Sequence, residues 1–160
     1  MTNAGRTRSY GAELTARWNP CTDFSARLSY GHTNATFRNY NDGRNDYRGK
    51  HVPYAPSNTL FAEATWQPAA LSFGGIQPSL TVNTNCAGRI YWNEANTRSQ
   101  DFYCLAGASL AFTAQRWSVR LWGENITGTR YDTFYFLSMG RSFTQRGLPA
   151  RCGATLRLSI

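Results

Sequence analysis

Charges in this chain avoid every second position of its apolar stretches. Between Ser9 and Trp18, the residues Tyr10, Ala12, Leu14, Ala16 and Trp18 share one parity, while Ser9, Gly11, Glu13, Thr15 and Arg17 share the other. A β-strand sends successive side chains to opposite faces, so such a segment has one apolar and one polar side. The first strand is read at about 6–18, and the pattern returns at about 23–37, 58–67, 77–92, 101–113, 116–126 and 151–160. A helical period of 3.6 is nowhere sustained. The expected fold class is therefore all-β, an antiparallel meander of about seven strands in one domain spanning 1–160. Two environments suit it. In a soluble sandwich or lipocalin-like barrel the apolar face turns inward. In a membrane barrel it turns outward to lipid and the polar face lines the lumen.

Connections and aromatics favour the membrane. Asn19–Thr22, Gln67–Gln77 and Ala114–Gln115 are short, whereas Arg38–Ser57, Asn93–Gln100 and Thr127–Ala150 are mostly longer and mix polar with aromatic residues. Short turns at one end and long loops at the other is the asymmetry of outer-membrane barrels. At the short-turn ends Trp18, Phe24, Trp66, Phe112 and Trp117 fall on the apolar face, and at the long-loop ends Tyr10, Tyr30, Trp92 and Phe102 do the same. Two aromatic rings around a band of Ala, Leu, Val and Ile make an interfacial girdle. Glu13, Arg17, Arg27, Glu63, Arg89, Arg120, Glu124, Arg151 and Arg157 take the polar parity, but so do Phe61, Tyr91, Tyr103, Leu105 and Trp122. A lumen filled by packed protein would accept these aromatics better than an open water pore. With the first short turn inside, strand one runs downward and the chain begins outside. Complete bacterial barrels have an even strand number and both ends inside, so the expectation is the tail of a larger barrel. A complete eight-stranded porin-like barrel, with an extra strand hidden in Thr127–Ala150, is the remaining membrane alternative.

Other classes find little support. The net charge is +8, but the arginines are scattered and form no continuous basic run, which argues against nucleic acid. There is no apolar run near the about 20 residues of a membrane-crossing helix, which a strand of about 9–11 residues does not need. The segment after Met1 is polar, with no secretory signal. Cys21, Cys86, Cys104 and Cys152 lack zinc spacing. The plainer reading of Cys86, Cys104 and Cys152 is small apolar-face residues, with a Cys86–Cys104 bridge across neighbouring strands as the alternative. His32 and His51, the only histidines, are read as bystanders rather than haem ligands. Neither a nucleophile elbow nor a phosphate-cradling loop nor a His-Glu-x-x-His motif occurs, so no enzyme, metal site or cofactor is expected.

Several segments are familiar in order. Asn3-Ala-Gly-Arg-Thr-Arg-Ser-Tyr-Gly-Ala-Glu-Leu14 resembles the entry to a late barrel strand of TonB-dependent outer-membrane receptors, in a Bacteroidetes-like form. Leu28–Phe37 followed by Tyr47–Pro56 resembles the next strand and loop. Leu121-Trp-Gly-Glu-Asn-Ile-Thr-Gly-Thr-Arg-Tyr131 is similar to the penultimate strand, with its Asn-(Leu/Ile)-x-(Asn/Gly)-x-x-Tyr ending. Asp132–Phe136 and Gln145–Pro149 fit the last extracellular loop, and Arg151–Ile160 fits the closing strand, although Ile160 stands where the family usually ends in an aromatic. The resemblance covers nearly all of the chain. It implies the C-terminal part of a plugged barrel of roughly 22 strands, in the outer membrane of a Gram-negative bacterium, engaged in energised uptake of a ferric siderophore, haem, cobalamin or a glycan. The implied partners are outer-membrane lipid and lipopolysaccharide, the remaining strands and plug, and the barrel-assembly machinery. A TonB-type coupling protein would be reached only through the plug, which these residues do not include.

Ligand-contact candidates lie in the long loops. Arg38, Tyr40, Arg44, Tyr47, Arg48 and Lys50 interleave cations with aromatics, a chemistry suited to anions. Tyr135, Arg141 and Arg146 are the candidates in the last loop. That loop is apolar for an exposed segment and is expected to fold over the mouth or pack on a partner.

Overall fold

The structure is a computed structural model that describes residues 5–159. Asn3 and Ala4 of the opening motif and the terminal Ile160 lie outside the described residues. Eleven strands form: β1 (Arg6–Cys21), β2 (Phe24–Asn39), β3 (Asn58–Trp66), β4 (Gln77–Ala87), β5 (Ile90–Tyr91), β6 (Ser99–Gln100), β7 (Tyr103–Thr113), β8 (Trp117–Glu124), β9 (Asp132–Ser138), β10 (Arg141–Arg146) and β11 (Arg151–Leu158). Seven of them build one sheet in the order β1-β2-β3-β4-β7-β8-β11, with every neighbouring pair antiparallel. These are the seven expected strands. The two additional hairpins, β5–β6 and β9–β10, are separate two-stranded sheets in the loops.

Register fixes the faces. Leu14 opposes Tyr30, which opposes Leu60, which opposes Cys86, which opposes Cys104. The apolar parity is thus continuous across the sheet and ends in Leu121 against Ala154. One residue away, Glu13, Arg17, Arg27, Glu63, Arg120 and Arg157 share the opposite face. No second sheet covers the apolar side among the described residues: Leu14, Trp18, Val82, Leu121 and Leu156 all stay exposed, and the only buried hydrophobic residues are Cys86, Trp92 and Tyr135. A sandwich or lipocalin would bury this face, so the soluble alternative is set aside. The eight-stranded closed barrel is set aside too, because β9 and β10 pair with each other and not with the main sheet.

Strand ends differ in instructive ways. The fourth strand stops at Ala87 rather than residue 92, and just beyond it Gly88 lies so close to Asn58 that a Cβ there would sit 3.0 Å from the Asn58 backbone nitrogen. Arg89 consequently leaves the wall and pairs with Asp101 at 2.9 Å. β1 and β2 run 16 residues each, well beyond the about 9–11 that cross a bilayer, so their upper part stands clear of it. The short-turn end closes tightly at Thr22–Asp23 and at Gly74–Gly75, where both glycines take positive φ (55° and 78°).

Candidate functional site: the loop mouth and the polar face

Three long connections rise from the same end of the sheet, at residues 40–57, 88–102 and 125–150. The first ends in a self-contained tip. Asp42 accepts hydrogen bonds from the backbone N–H groups of Arg44 (2.8 Å) and Asn45 (2.7 Å) and from the Tyr47 hydroxyl (2.7 Å). The phenol and these N–H groups favour its charged form and lower its pKa from 3.8 to about 2, while the Tyr47 phenol is pushed up by the same carboxylate. Tyr47 stacks on Tyr40 at 5.3 Å, and Tyr40 lies 4.9 Å from Phe37.

The middle connection joins the other two. Asn96, at φ 55°, accepts from the His51 backbone N–H (2.7 Å) and donates to the His51 carbonyl (2.9 Å). The His51 ring stacks on Tyr91 at 5.1 Å, and Trp92 packs edge-on to Tyr54 at 5.4 Å. On its other side Gln100 accepts from the Asp132 N–H at 2.9 Å. At its root, Cys86 and Cys104 oppose each other in register and form a disulfide across β4 and β7, the alternative to the plainer reading of those cysteines.

The last connection folds over this assembly. Phe134 stacks on Tyr54 at 5.5 Å, Phe136 on Phe143 at 5.1 Å, and the Tyr54 hydroxyl donates to the Tyr135 carbonyl at 2.6 Å. Its base explains the Asn125–Tyr131 motif. Asn125 is buried at φ 47°, donates to the Thr129 and Leu148 carbonyls (2.9 and 3.0 Å) and accepts from the Thr129 N–H (2.9 Å). Tyr131 then stacks on Tyr103 at 4.7 Å with Gly147 flat against its ring, where a Cβ would sit 2.0 Å from a ring carbon.

Below the loops the polar face holds a recess of about 330 Å³ whose lining includes Asn83, Asn85, Arg120, Trp122, Tyr131 and Arg151. Arg151 is bonded to Glu124 through Nε at 2.8 Å, whereas no carboxylate lies within ion-pair distance of Arg120 among the described residues. The aromatics on this face are held by polar neighbours: Arg27 sits over Phe61 at 5.7 Å, and the Trp122 indole donates to Thr155 at 3.3 Å.

The ligand candidates therefore separate. Tyr40, Arg44, Tyr47, Arg48 and Lys50 cluster at the first tip, where Arg44, Arg48 and Lys50 are exposed and Arg48 lies 3.9 Å from Asp46. Arg38 stands just below, at the end of β2, and is exposed. Arg141 and Arg146 are exposed on the β9–β10 hairpin. Tyr135 is only 7% exposed and packs within the mouth. Of the girdle residues, Trp18 and Trp66 on the short-turn side and Tyr10, Tyr30 and Phe102 on the other are exposed on the apolar parity, and Trp18 meets Phe24 edge-on at 5.9 Å. Phe112 and Trp117 keep the same parity and are half-buried. Trp92 departs from this ring: β4 ends at Ala87, and the indole is buried to 7% exposure against Tyr54. Sequence reasoning passed over Asn96, whose one available signal was an asparagine in a loop able to hold positive φ, and it met Asn125 only as the first residue of a family motif.

A family model described as TonB-dependent receptor-like, β-barrel matches residues 1–126. The pesticin receptor of Yersinia pestis is 23% identical over 161 aligned residues, which cover 100% of this chain and 23% of that receptor. A pesticin receptor of Yersinia enterocolitica aligns at the same identity and coverage. Among solved structures, the ferric yersiniabactin uptake receptor of Yersinia pestis superimposes with a TM-score of 0.84 at 20% identity, covering 98% of this chain and 24% of that one. The ferric preacinetobactin receptor of Acinetobacter baumannii superimposes at 0.74 and 17% identity, over 95% of this chain and 22% of its own. The chain spans about a quarter of the length of the relatives it matches.

Proposed function

The chain belongs to the TonB-dependent receptor-like β-barrel family, transport receptors of the Gram-negative outer membrane and not enzymes, and we propose that it supplies barrel wall and extracellular mouth to a receptor that takes up a ferric siderophore. The observation that carries this reading is the wall itself: a single seven-stranded sheet with one face apolar and exposed and three long loops fused at one end. Such a sheet is stable only with lipid on the apolar face. Its β1 and β11 edges then pair with further strands of the barrel, and its polar face packs on a plug through which a TonB-type protein acts. The barrel-assembly machinery would insert it, and lipopolysaccharide would surround it. The names of the two similar solved receptors, for ferric yersiniabactin and ferric preacinetobactin, point to iron chelates, and the exposed Arg38, Arg44, Arg48, Lys50, Arg141 and Arg146 suit an anionic complex through charge-assisted hydrogen bonds.

Binding of radiolabelled ligands to cells displaying a receptor that carries this sequence tests the proposal, with iron-labelled ferric yersiniabactin as the first probe and labelled haem, cobalamin and an oligosaccharide beside it. Replacing Arg44, Arg48 and Lys50 together by Gln is expected to weaken chelate binding about tenfold, at unchanged receptor level in the outer membrane. Saturable binding of haem, cobalamin or the oligosaccharide, with none of the iron chelate, would replace the siderophore reading.

A further inference from the structure

Cys86 and Cys104 form their bridge on the face that lipid covers. One row of the apolar parity runs Leu14, Tyr30, Leu60, Cys86, Cys104 from β1 to β7, each residue directly opposite the next. Leu14 and Tyr30 are exposed in that row, whereas Cys86 is buried and Cys104 half-buried even before lipid lies on the sheet. Thiol–disulfide exchange needs a thiolate and a clear line of approach to the sulfur. The finished wall offers neither. Neighbouring side chains shut off Cys86, and hydrocarbon excludes both a charged thiolate and any protein that would react with it. Cys21 and Cys152 are free and exposed, and they stand opposite Phe24 and Gly123 rather than another cysteine.

The bridge also selects a register. If β4 slips against β7 by one residue, the two sulfurs move to opposite faces. If it slips by two, they keep the face but move about 6.6 Å apart along the strands, out of reach once the strand spacing is added. Only the native pairing closes the bond. This pair of strands is also one whose connection does little to set register, because residues 88–102 lie between them. By contrast, Thr22–Asp23 joins β1 to β2 and Ala114–Arg116 joins β7 to β8, and such short turns fix the pairing by themselves.

We propose that Cys86 and Cys104 are oxidised in the periplasm, before the wall enters the membrane, by a protein carrying an exposed and strongly oxidising disulfide, and that the bond sets the β4–β7 register for assembly. The thiolate of one cysteine attacks the partner's disulfide, a mixed disulfide forms, and one partner thiolate leaves. The second cysteine attacks the mixed disulfide at the receptor's sulfur. The Cys86–Cys104 bond then forms, and the partner departs as a dithiol with the two electrons and the two thiol protons. This inference rests on the outer-membrane reading and adds to it a partner and an order of events.

The test uses a full-length receptor carrying this sequence, expressed in Gram-negative cells that are normal, depleted of the barrel-assembly machinery, or lacking their periplasmic dithiol oxidase. Thiols are trapped with acid and alkylated, and the Cys86 and Cys104 peptides are mapped by mass spectrometry. In depleted cells the unassembled receptor is expected to carry the bridge already, with neither cysteine alkylated. Without the oxidase both cysteines should be alkylated, and heat-modifiable receptor in the outer membrane should fall. Cystine supplied during synthesis should restore both, and cystine supplied after insertion neither. Cys86→Ser with Cys104→Ser should make the receptor level independent of the oxidase, while Cys21→Ser with Cys152→Ser should leave the dependence intact. Alkylated cysteines in the unassembled receptor with a bridge appearing only after insertion, or full bridging without the oxidase, would overturn the inference. The map of the unaltered receptor decides this even where the Cys86 and Cys104 double variant does not assemble. A receptor that reaches the outer membrane but is bridged late loses this inference alone. One absent from the outer membrane of normal cells loses the membrane reading and the inference with it.

Discussion

The wall and the mouth of this molecule are stabilised by different means. In the wall, β1 through β4 with β7, β8 and β11, the outer strands β1 and β11 are exposed almost throughout, the central β3, β4 and β7 are mostly half-buried, and the strands are joined side by side by their register. In the mouth, Trp92, Tyr135 and Asn125 are buried, and rings from segments 80 residues apart, such as Tyr54 and Phe134, lie in contact. Lipid therefore stabilises the wall from outside, while the mouth carries its own small core. Substitutions should respect that division: in the wall only the face of a residue matters, and in the mouth only its partners.

The largest expected effect breaks the wall. Val82→Arg puts a charge on the exposed apolar parity at mid-strand, and should cost about 2–4 kcal/mol in urea unfolding from a lipid bilayer. Asn83→Arg, one residue on and facing the polar side, should cost under about 1 kcal/mol. Equal costs would remove the assignment of faces.

Next is the disulfide, which belongs to both regions. Cys86 and Cys104 sit on the wall but close the connection that holds the two outer loops together, with a sequence separation of 18. Cys86→Ser with Cys104→Ser should lower stability by about 3 kcal/mol through the unfolded chain. Hydrogen exchange should rise across 88–102 and spread to His51 and Asp132, which that connection holds through Asn96 and Gln100. Exchange confined to 88–102 would mean that the three loops are independent.

Asn125→Ala tests the mouth alone. It removes three hydrogen bonds and places alanine at φ 47°, so about 2 kcal/mol is expected, read as faster proteolysis within 127–150 with the wall strands unchanged.

These regions also differ in how far the sequence revealed them. All seven wall strands were legible because one face must be apolar and its neighbour must not, and lipid enforces that choice at every residue. The mouth was not legible, because its contacts join loops that no local period relates. Trp92 shows the limit: its parity fits the girdle only if β4 continues, and β4 ends at Ala87. Tyr135 was chosen as a ligand contact for its residue type, yet it packs inward, as the apolar composition of its loop already suggested. Cys86 and Cys104 stood on one parity of consecutive strands, and only the register made them partners.

The smallest effect concerns the first tip, which belongs to neither region's packing. Its turn is held by the Asp42 carboxylate, lowered to about 2 by Tyr47 and two backbone N–H groups. A folded pKa below the unfolded value of 3.8 means that the charged form is the bound one. The contribution is complete above pH 4 and is lost as pH falls through about 2. The tip should thus keep one conformation across the whole range in which a bacterium lives, presenting Arg44 and Arg48 in fixed positions. Carboxyl NMR of Asp42 should titrate near 2, and Asp42→Asn should free the Tyr47 ring without altering wall or mouth. A midpoint near the ordinary value of 3.8 would show that the turn is not formed in solution, and that the cations at the tip are arranged only when a ligand arrives.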